Sequence, residues 1–576
     1  MFARLTVAAL GVTAVAVMTT STGRAQSDGF PQGGPRDWSH TRLVGSSFGR
    51  DGDRNIDSNW RTHFKRVRLE RMLERRGLQD QLDILDLLRR GGRPKPRPVD
   101  ESEPHLDWSM RTGSTGNVVG SPGKFSFDIT TPSCSDVVYY TGDYAGSASA
   151  PNVIALTNIY GFCGGQVPTV KWGVRMTAGT ATSAVPSLDG KVLYVLENSS
   201  PVKLHAINVD NITTSVGSYN FSTNVWSNAH TLSTASFGTG SEQLFQITFP
   251  AGVTNNVSSP WLDYTGNQIF FGDSAGRIQH VTNVHLASAA RDTTNFANAC
   301  GANQLTSPVF IYGQVIVTSY NGFLYRLDTN GTAPYTCIAS AQFGGGTVNG
   351  IAGSLSGPMV DVGNDQIIVN TNNGNAYTGA AILAVPVMFA SGASYSSAQA
   401  MGPETTQAPV TGTFDDAYWS TGTGNYYIVA ANAANTNTYV YRYPYNGSLG
   451  AAAGFVQLNR SGASAVVATS PVSEFLSTGT PNKDEIYVGG GGGTYLFMNR
   501  VLAGFGGTDA TPATMANSFQ STSNGGTAVG ITSPIVIDNN AALTTGGTAT
   551  ANIYYGTLGI TASSTQSTIV QLAQQF

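Results

Sequence analysis

The side chains whose types could do chemistry are few and scattered. Asp51-Gly52-Asp53-Arg54-Asn55-Ile56-Asp57 sets oxygen ligands at alternate positions: Asp51, Asp53, Asn55 and Asp57. That spacing lets a loop wrap a hard cation, and Ca²⁺ is the ion it would hold. The loop departs from an EF-hand, with Ile56 where Gly is wanted and Thr62 where a bidentate Glu belongs. A solvated polar turn has the same composition. Tyr439, Tyr441, Tyr443 and Tyr445 recur at period two, so they share one strand face. Such a face can stack on sugar rings or pack against a neighbouring sheet.

Other candidates are thinner. His280 and His285 stand five apart across an expected strand and turn, a weak metal pair. Asp415-Asp416 and Asp484-Glu485 are paired carboxylates of the kind many exposed loops carry. There is no Gly-x-Ser-x-Gly elbow, no phosphate-binding loop and no Cys-x-x-Cys-His haem site. No cofactor motif is present. These observations point to a non-enzymatic binding or scaffolding role. A polysaccharide hydrolase or lyase whose residues come from separate loops is the second class.

Cys134, Cys163, Cys300 and Cys337 are the four cysteines. They suggest two disulfides in an exported chain, with 134–163 and 300–337 preferred because each pair brackets one β-unit. Export is expected from residues 1–25. Arg4 precedes an apolar stretch from Leu5 to Met18, and Gly23-Arg24-Ala25 resembles a cleavage site. No later stretch is long and apolar enough for a membrane helix. The destination is the periplasm or the cell exterior.

Charge divides the chain. Residues 1–100 hold 18 of the 31 Lys and Arg and 11 of the 35 Asp and Glu; the remainder is therefore acidic. An acidic body argues against nucleic acid as a partner and leaves protein or glycan.

Residues 26–56 read as irregular. Trp60, Phe64, Val67 and Met72 then recur at helical spacing, and Leu78, Leu82, Leu85 and Leu88 repeat the pattern after Gly77. Residues 26–90 are thus expected to form a basic arm with two helices. Residues 91–109 are expected to be a linker, opening on Gly91-Gly92 and Arg93-Pro94-Lys95-Pro96-Arg97-Pro98. Asp37-Trp38-Ser39 and Asp107-Trp108-Ser109 bracket the arm and read as two matching docking turns.

From about residue 110 the chain repeats. Prolines 122, 186, 260, 308, 358, 409, 471 and 534 each open a short β-rich unit, at intervals of 64, 74, 48, 50, 51, 62 and 63 residues. In one unit Ser307-Pro308-Val309 leads to Gln314-Val315-Ile316-Val317-Thr318, then Tyr320-Asn321-Gly322, then Phe323-Leu324-Tyr325-Arg326-Leu327-Asp328. Strand, turn, strand at this period marks a propeller or array. The unit resembles the repeat of quinoprotein-type (PQQ-like) β-propellers. The whole chain is also similar to secreted bacterial proteins with an Asp-Trp-Ser-His start and a Ser-Leu-Asp-Gly repeat element, here Asp37–His40 and Ser187–Gly190. The resemblance implies export and a propeller; the eight proline openings make it an all-β, eight-bladed propeller over residues 110–576, with seven blades as the alternative because the intervals are uneven. A quinone-dependent dehydrogenase of that kind would bring adjacent cysteines and a Trp floor. This chain has no adjacent cysteines, and its Trp residues form no such motif.

Overall fold

The computed structural model describes residues 34–36, 43–44 and, apart from short stretches, 105–575. The expected signal segment, both arm helices, the Asp51–Asp57 loop, the first Asp-Trp-Ser copy and Cys300 lie outside the described residues. Among those described, three sheets have four strands and five have five, eight in all, following one another along the chain. The first runs Gly123–Ser126, Val137–Thr141, Val153–Thr157 and Thr169–Val174, each strand antiparallel to the last. Later sheets repeat that order. The strand-opening prolines behave alike: Gly123, Trp261, Val309 and Met359 start strands directly after Pro122, Pro260, Pro308 and Pro358. A proline suits this place because the strand it opens is innermost, so its missing N–H breaks no ladder.

Hydrogen bonds join the sheets in succession. Ser121 N–H donates to Ser183 Oγ (2.9 Å), Ser183 N–H to Ser259 Oγ (3.2 Å) and Ser259 N–H to Ser307 Oγ (2.8 Å). Thr318 Oγ1 donates to Ser356 O (2.6 Å) and Asn370 Nδ2 to Val410 O (2.8 Å). Val472 N–H reaches Thr411 O (3.4 Å), and Ser473 Oγ reaches Ile535 O (2.7 Å). Val118 N–H then bonds Thr557 O (3.1 Å), which brings the last sheet back against the first. The sheets therefore close into a ring: the fold is a β-propeller. Where Ser259 and Ser307 precede their prolines, the hydroxyl accepts from the neighbouring sheet's backbone between two inner strands; Ser183, three residues before Pro186, does the same.

The core is divided into wedges between neighbouring sheets. Successive strand residues point to opposite faces. Val137 and Tyr139 accordingly pack with Leu193 and Val195 of the second sheet, while Val138 and Tyr140 pack with Tyr554 and Ile569 of the last. Both faces of each sheet are covered, so the middle strands read as continuous apolar runs such as Val315-Ile316-Val317. Gly322, at φ +85°, makes the turn in its unit; a Cβ there would lie 2.4 Å from Gly344 O.

The ring is shut by the N-terminal side of the body. His105–Arg111 pairs antiparallel with Thr568–Gln575 as the outer strand of the last sheet. The sequence places residues 105–109 in the linker and reads Asp107-Trp108-Ser109 as a turn; both expectations are corrected here. Trp108 and Met110 are buried, and a bulge at Leu106/Trp108 takes up Asp107. An inserted ribbon, Ser218–Asn220 with Val225–Ser227, braces this strand. Trp226 Nε1 donates to Arg111 O (2.8 Å), and Arg111 N–H donates to Tyr219 Oη (2.9 Å).

Residues 26–56 are not wholly irregular. Gly34–Arg36 pairs antiparallel with Gly123–Ser126, and Leu43–Val44 pairs parallel with Met359–Asp361. Both add to innermost strands, of the first and fifth sheets. One short α-helix, Asp416–Thr421, is described, in a turn of the sixth sheet.

Candidate functional site

The tyrosine strand, Thr438–Tyr445, is the third strand of the sixth sheet. Tyr441, Tyr443 and Tyr445 are buried and pack with Met359, Ile368 and Ile382 of the fifth sheet; Tyr439 is partly buried beside them. Tyr443 Oη donates to Ala400 O (2.7 Å) and Tyr445 Oη to Asp361 Oδ2 (2.7 Å). Burial, with the Asp361 charge beside it, pushes the Tyr445 hydroxyl far above its ordinary value. The face packs between sheets and presents no sugar platform.

The histidines do not converge. His280 stacks on Phe270 at 4.5 Å and bonds Gln268 Oε1 (2.9 Å) and Asp292 Oδ2 (3.3 Å). Burial lowers its pKa despite Asp292 and Asp263. His285 Nδ1 instead meets Tyr194 Oη at 2.7 Å. Asp415 caps the short helix, accepting from Tyr418 N–H (2.9 Å) and Asn425 Nδ2 (2.6 Å). Among the described residues no group of three His, Cys, Asp or Glu is placed to hold a metal. Cys134 and Cys163 form a disulfide that ties the first-to-second turn of the first sheet to its third-to-fourth connection. Cys337 is also disulfide-bonded.

The strongest polar cluster escaped the sequence reading. Glu197 and His205 stand across a hairpin of the second sheet, with Oε2 and Nε2 2.8 Å apart. Lys203 Nζ lies 3.3 Å from the same oxygen. Ala178 N–H (3.0 Å) and Thr177 Oγ1 donate to Oε1. Gln243 Oε1 meets His205 Nδ1 at 3.0 Å. Burial alone would raise the Glu197 pKa, yet the bonds from His205, Thr177 and Ala178 hold it down at about 2. A carboxylate so fixed stays ionised near neutrality. The cluster pins strands together. The same holds for Asp136, which accepts from Tyr160 Oη (2.7 Å) and faces Lys124 Nζ at 3.7 Å, both fully buried.

A second pattern also went unread. Asp189, Asp263 and Asp361 stand three residues after Pro186, Pro260 and Pro358. Each carboxylate closes the following turn, as Asp263 does for Gly266 N–H (3.0 Å) and Asp361 for Gly363 N–H (3.0 Å).

What distinguishes one end of the ring is apolar exposure. Strands alternate in direction, so first-to-second and third-to-fourth connections share an end. Phe162, Leu286 and Met388 lie in third-to-fourth connections of the first, third and fifth sheets, whereas Val225 stands on the ribbon beside Asn224, which bonds Tyr219 next to Arg111 at the other end. Ile338 is the third residue of the fourth strand of the fourth sheet, beside the end of Phe162, Leu286 and Met388. Among the described residues these are all the exposed large hydrophobics; Met388 is 63% exposed and Val225 51%.

The ring, its inner hydroxyl joints and its one apolar end define a β-propeller with a candidate docking end. No protein-family model matches the chain, and a search of curated proteins finds no match. Similar solved structures include BamB from Moraxella catarrhalis, with 11% identity, a TM-score of 0.42, and 82% of this chain and 98% of that one covered. Sqt1 from Saccharomyces cerevisiae is similar at 9% identity and a TM-score of 0.47, covering 82% and 99%. The WD40 β-propeller domain of Doa1 is similar at 9% identity and a TM-score of 0.36, covering 67% and 94%.

Proposed function

We propose that the protein is an exported, non-enzymatic, eight-bladed propeller that serves as a rigid scaffold for a protein partner. Each of the eight sheets is one blade. Export accords with a disulfide between two turns, a bond that persists in oxidising compartments, and with the signal-like residues 1–25. The second disulfide, 300–337, belongs to the same reading.

The observation that carries the binding role is the concentration of exposed apolar side chains at one end. The sheet faces are buried, the last sheet's outer strand comes from residues 105–111, and two inner edges carry residues 34–36 and 43–44. Contact with other molecules falls to the loops. Phe162 and Leu286 stand at that end over the first and third blades. Phe162 stacks flat on Tyr160, ring centres 5.4 Å apart, so it is held outward and pre-ordered. Exposed aliphatic and aromatic groups fit a protein surface better than a glycan.

The test places a photo-crosslinking side chain at Phe162 or Leu286 in cells that produce the protein. One shared protein partner is expected from both sites and not from Ser199, at the other end. Phe162→Asp should lose that partner with its thermal midpoint unchanged. Equal capture from Ser199, or no shared partner, refutes the reading.

A further inference from the structure

The chain leaves and re-enters the ring at the same end. Leu43–Val44 runs parallel to its inner-strand partner, and Val44 pairs with Asp361, where that strand finishes. The chain therefore heads out toward the first-to-second turns. His105 pairs with Ala573, near the finish of the last sheet's third strand. That is again the end of the third-to-fourth connections. Val44 and His105, the described residues on either side of the sixty residues 45–104, therefore both stand at the apolar end of the ring.

Two further observations bear on where the intervening segment rests. Val44 leaves from the fifth sheet, and that sheet's Met388 is the most exposed large hydrophobic among the described residues. The Met388 connection lies against the fourth sheet, with Gly392 N–H donating to Ser340 O (2.8 Å) two residues from exposed Ile338. Asp328 and Asp365 stand at this end, the first closing the third strand of the fourth sheet, the second in a turn of the fifth. Residues 57–76 carry seven Lys and Arg against three Asp and Glu, with Trp60, Phe64, Val67 and Met72 at helical spacing between them.

We infer that residues 57–90 dock on the Met388–Ile338 patch of their own ring, apolar stripe inward and basic residues toward the acidic rim. The occupant is this chain because Val44 and His105 both stand at that end. A second copy would have to compete with a segment covalently held between them. The seat lies on the fourth and fifth sheets, apart from the Phe162 and Leu286 positions on the first and third sheets proposed for a partner.

The test uses the purified full chain with a photo-crosslinking side chain at Met388, illuminated and mapped by mass spectrometry. Cross-links into residues 57–90 of the same molecule are expected, fewer at high salt. In a mixture of light- and heavy-isotope protein they should stay within one label. Cross-links only between labels, only within the ring, or equally from Ser199, overturn the inference. Met388→Asp should make tryptic cleavage at Arg66, Arg68 and Arg71 several-fold faster with the thermal midpoint unchanged. An unchanged rate also overturns it. Neither readout needs the partner, so failure here leaves the partner reading standing, and the converse holds.

Discussion

Replacing Glu197 with Gln should cost stability in a way that fades with acid. The carboxyl's ordinary value is 4.5, and His205, Thr177 and Ala178 hold it at about 2 in the folded chain. A difference of that size couples ionisation to folding by about 3 kcal/mol. Glu197 is 2% exposed, so solvent screens little of this. The folded value lies below the unfolded one. The support is therefore complete above about pH 5, falls through the interval between the two values, and is gone below about pH 2. Gln keeps the shape and can still accept from Thr177 and Ala178. It loses the charge that His205 and Lys203 face. Urea unfolding of both proteins at pH 7, 5, 4 and 3 reads the difference. A gap of about 3 kcal/mol at pH 7, reduced to about half near pH 3, is expected. A gap that stays constant from pH 7 to pH 3, or no gap at pH 7, refutes the reasoning.

Other expectations follow from the same geometry. Removing the 134–163 disulfide with Cys134→Ser and Cys163→Ser should cost about 3.5 kcal/mol, because the loop spans 29 residues; equal urea midpoints would count against it. Trp226→Ala should cost about 3–5 kcal/mol and speed amide exchange in residues 105–111, since Trp226 is buried and bonds Arg111 O; exchange confined to the ribbon itself would refute the brace. Ser259→Ala leaves the buried Ser183 N–H without its acceptor and should cost about 1–3 kcal/mol. Ser222→Ala, on the ribbon's turn away from the inner ring, should cost much less, and equal losses would deny the inner joints a special role.

How legible this was in the sequence depended on whether each signal was local. The prolines announced the repeat because an innermost strand has one specific need, a start without an N–H. The tyrosine run was legible as a strand face, but its direction was not. What lies opposite Tyr443 is Ala400, more than forty residues away. Glu197 and His205 are only eight apart, and Ser200-Pro201 between them is a turn signal. Period two on either side of that turn would have set both on one face. His105–Arg111 was misread because its prolines lie upstream, although Leu106, Trp108 and Met110 alternate as a half-buried strand should. Its partner, Thr568–Gln575, stands at the far end of the chain, and no local pattern names it. The turn-closing aspartates were visible as Pro186, Pro260 and Pro358 followed by Asp at the third place, a regularity that only aligning the units would reveal.

The pairing of His105–Arg111 with Thr568–Gln575 also sets an order of events. The strand that completes the last sheet is made before any strand of that sheet it joins, and its partner, Thr568–Gln575, is made more than 450 residues later. Until those residues arrive, the growing chain holds an unmatched strand at each extremity, and such edges invite association with other chains. Contacts of such sequence separation form slowly. A chain exported before it folds would meet this delay beyond the membrane. The Cys134–Cys163 link lies wholly within the first sheet and can form while the ring is still open. Maturation should pass through a long-lived open form with its first sheet already cross-linked, vulnerable to proteases until its two extremities meet.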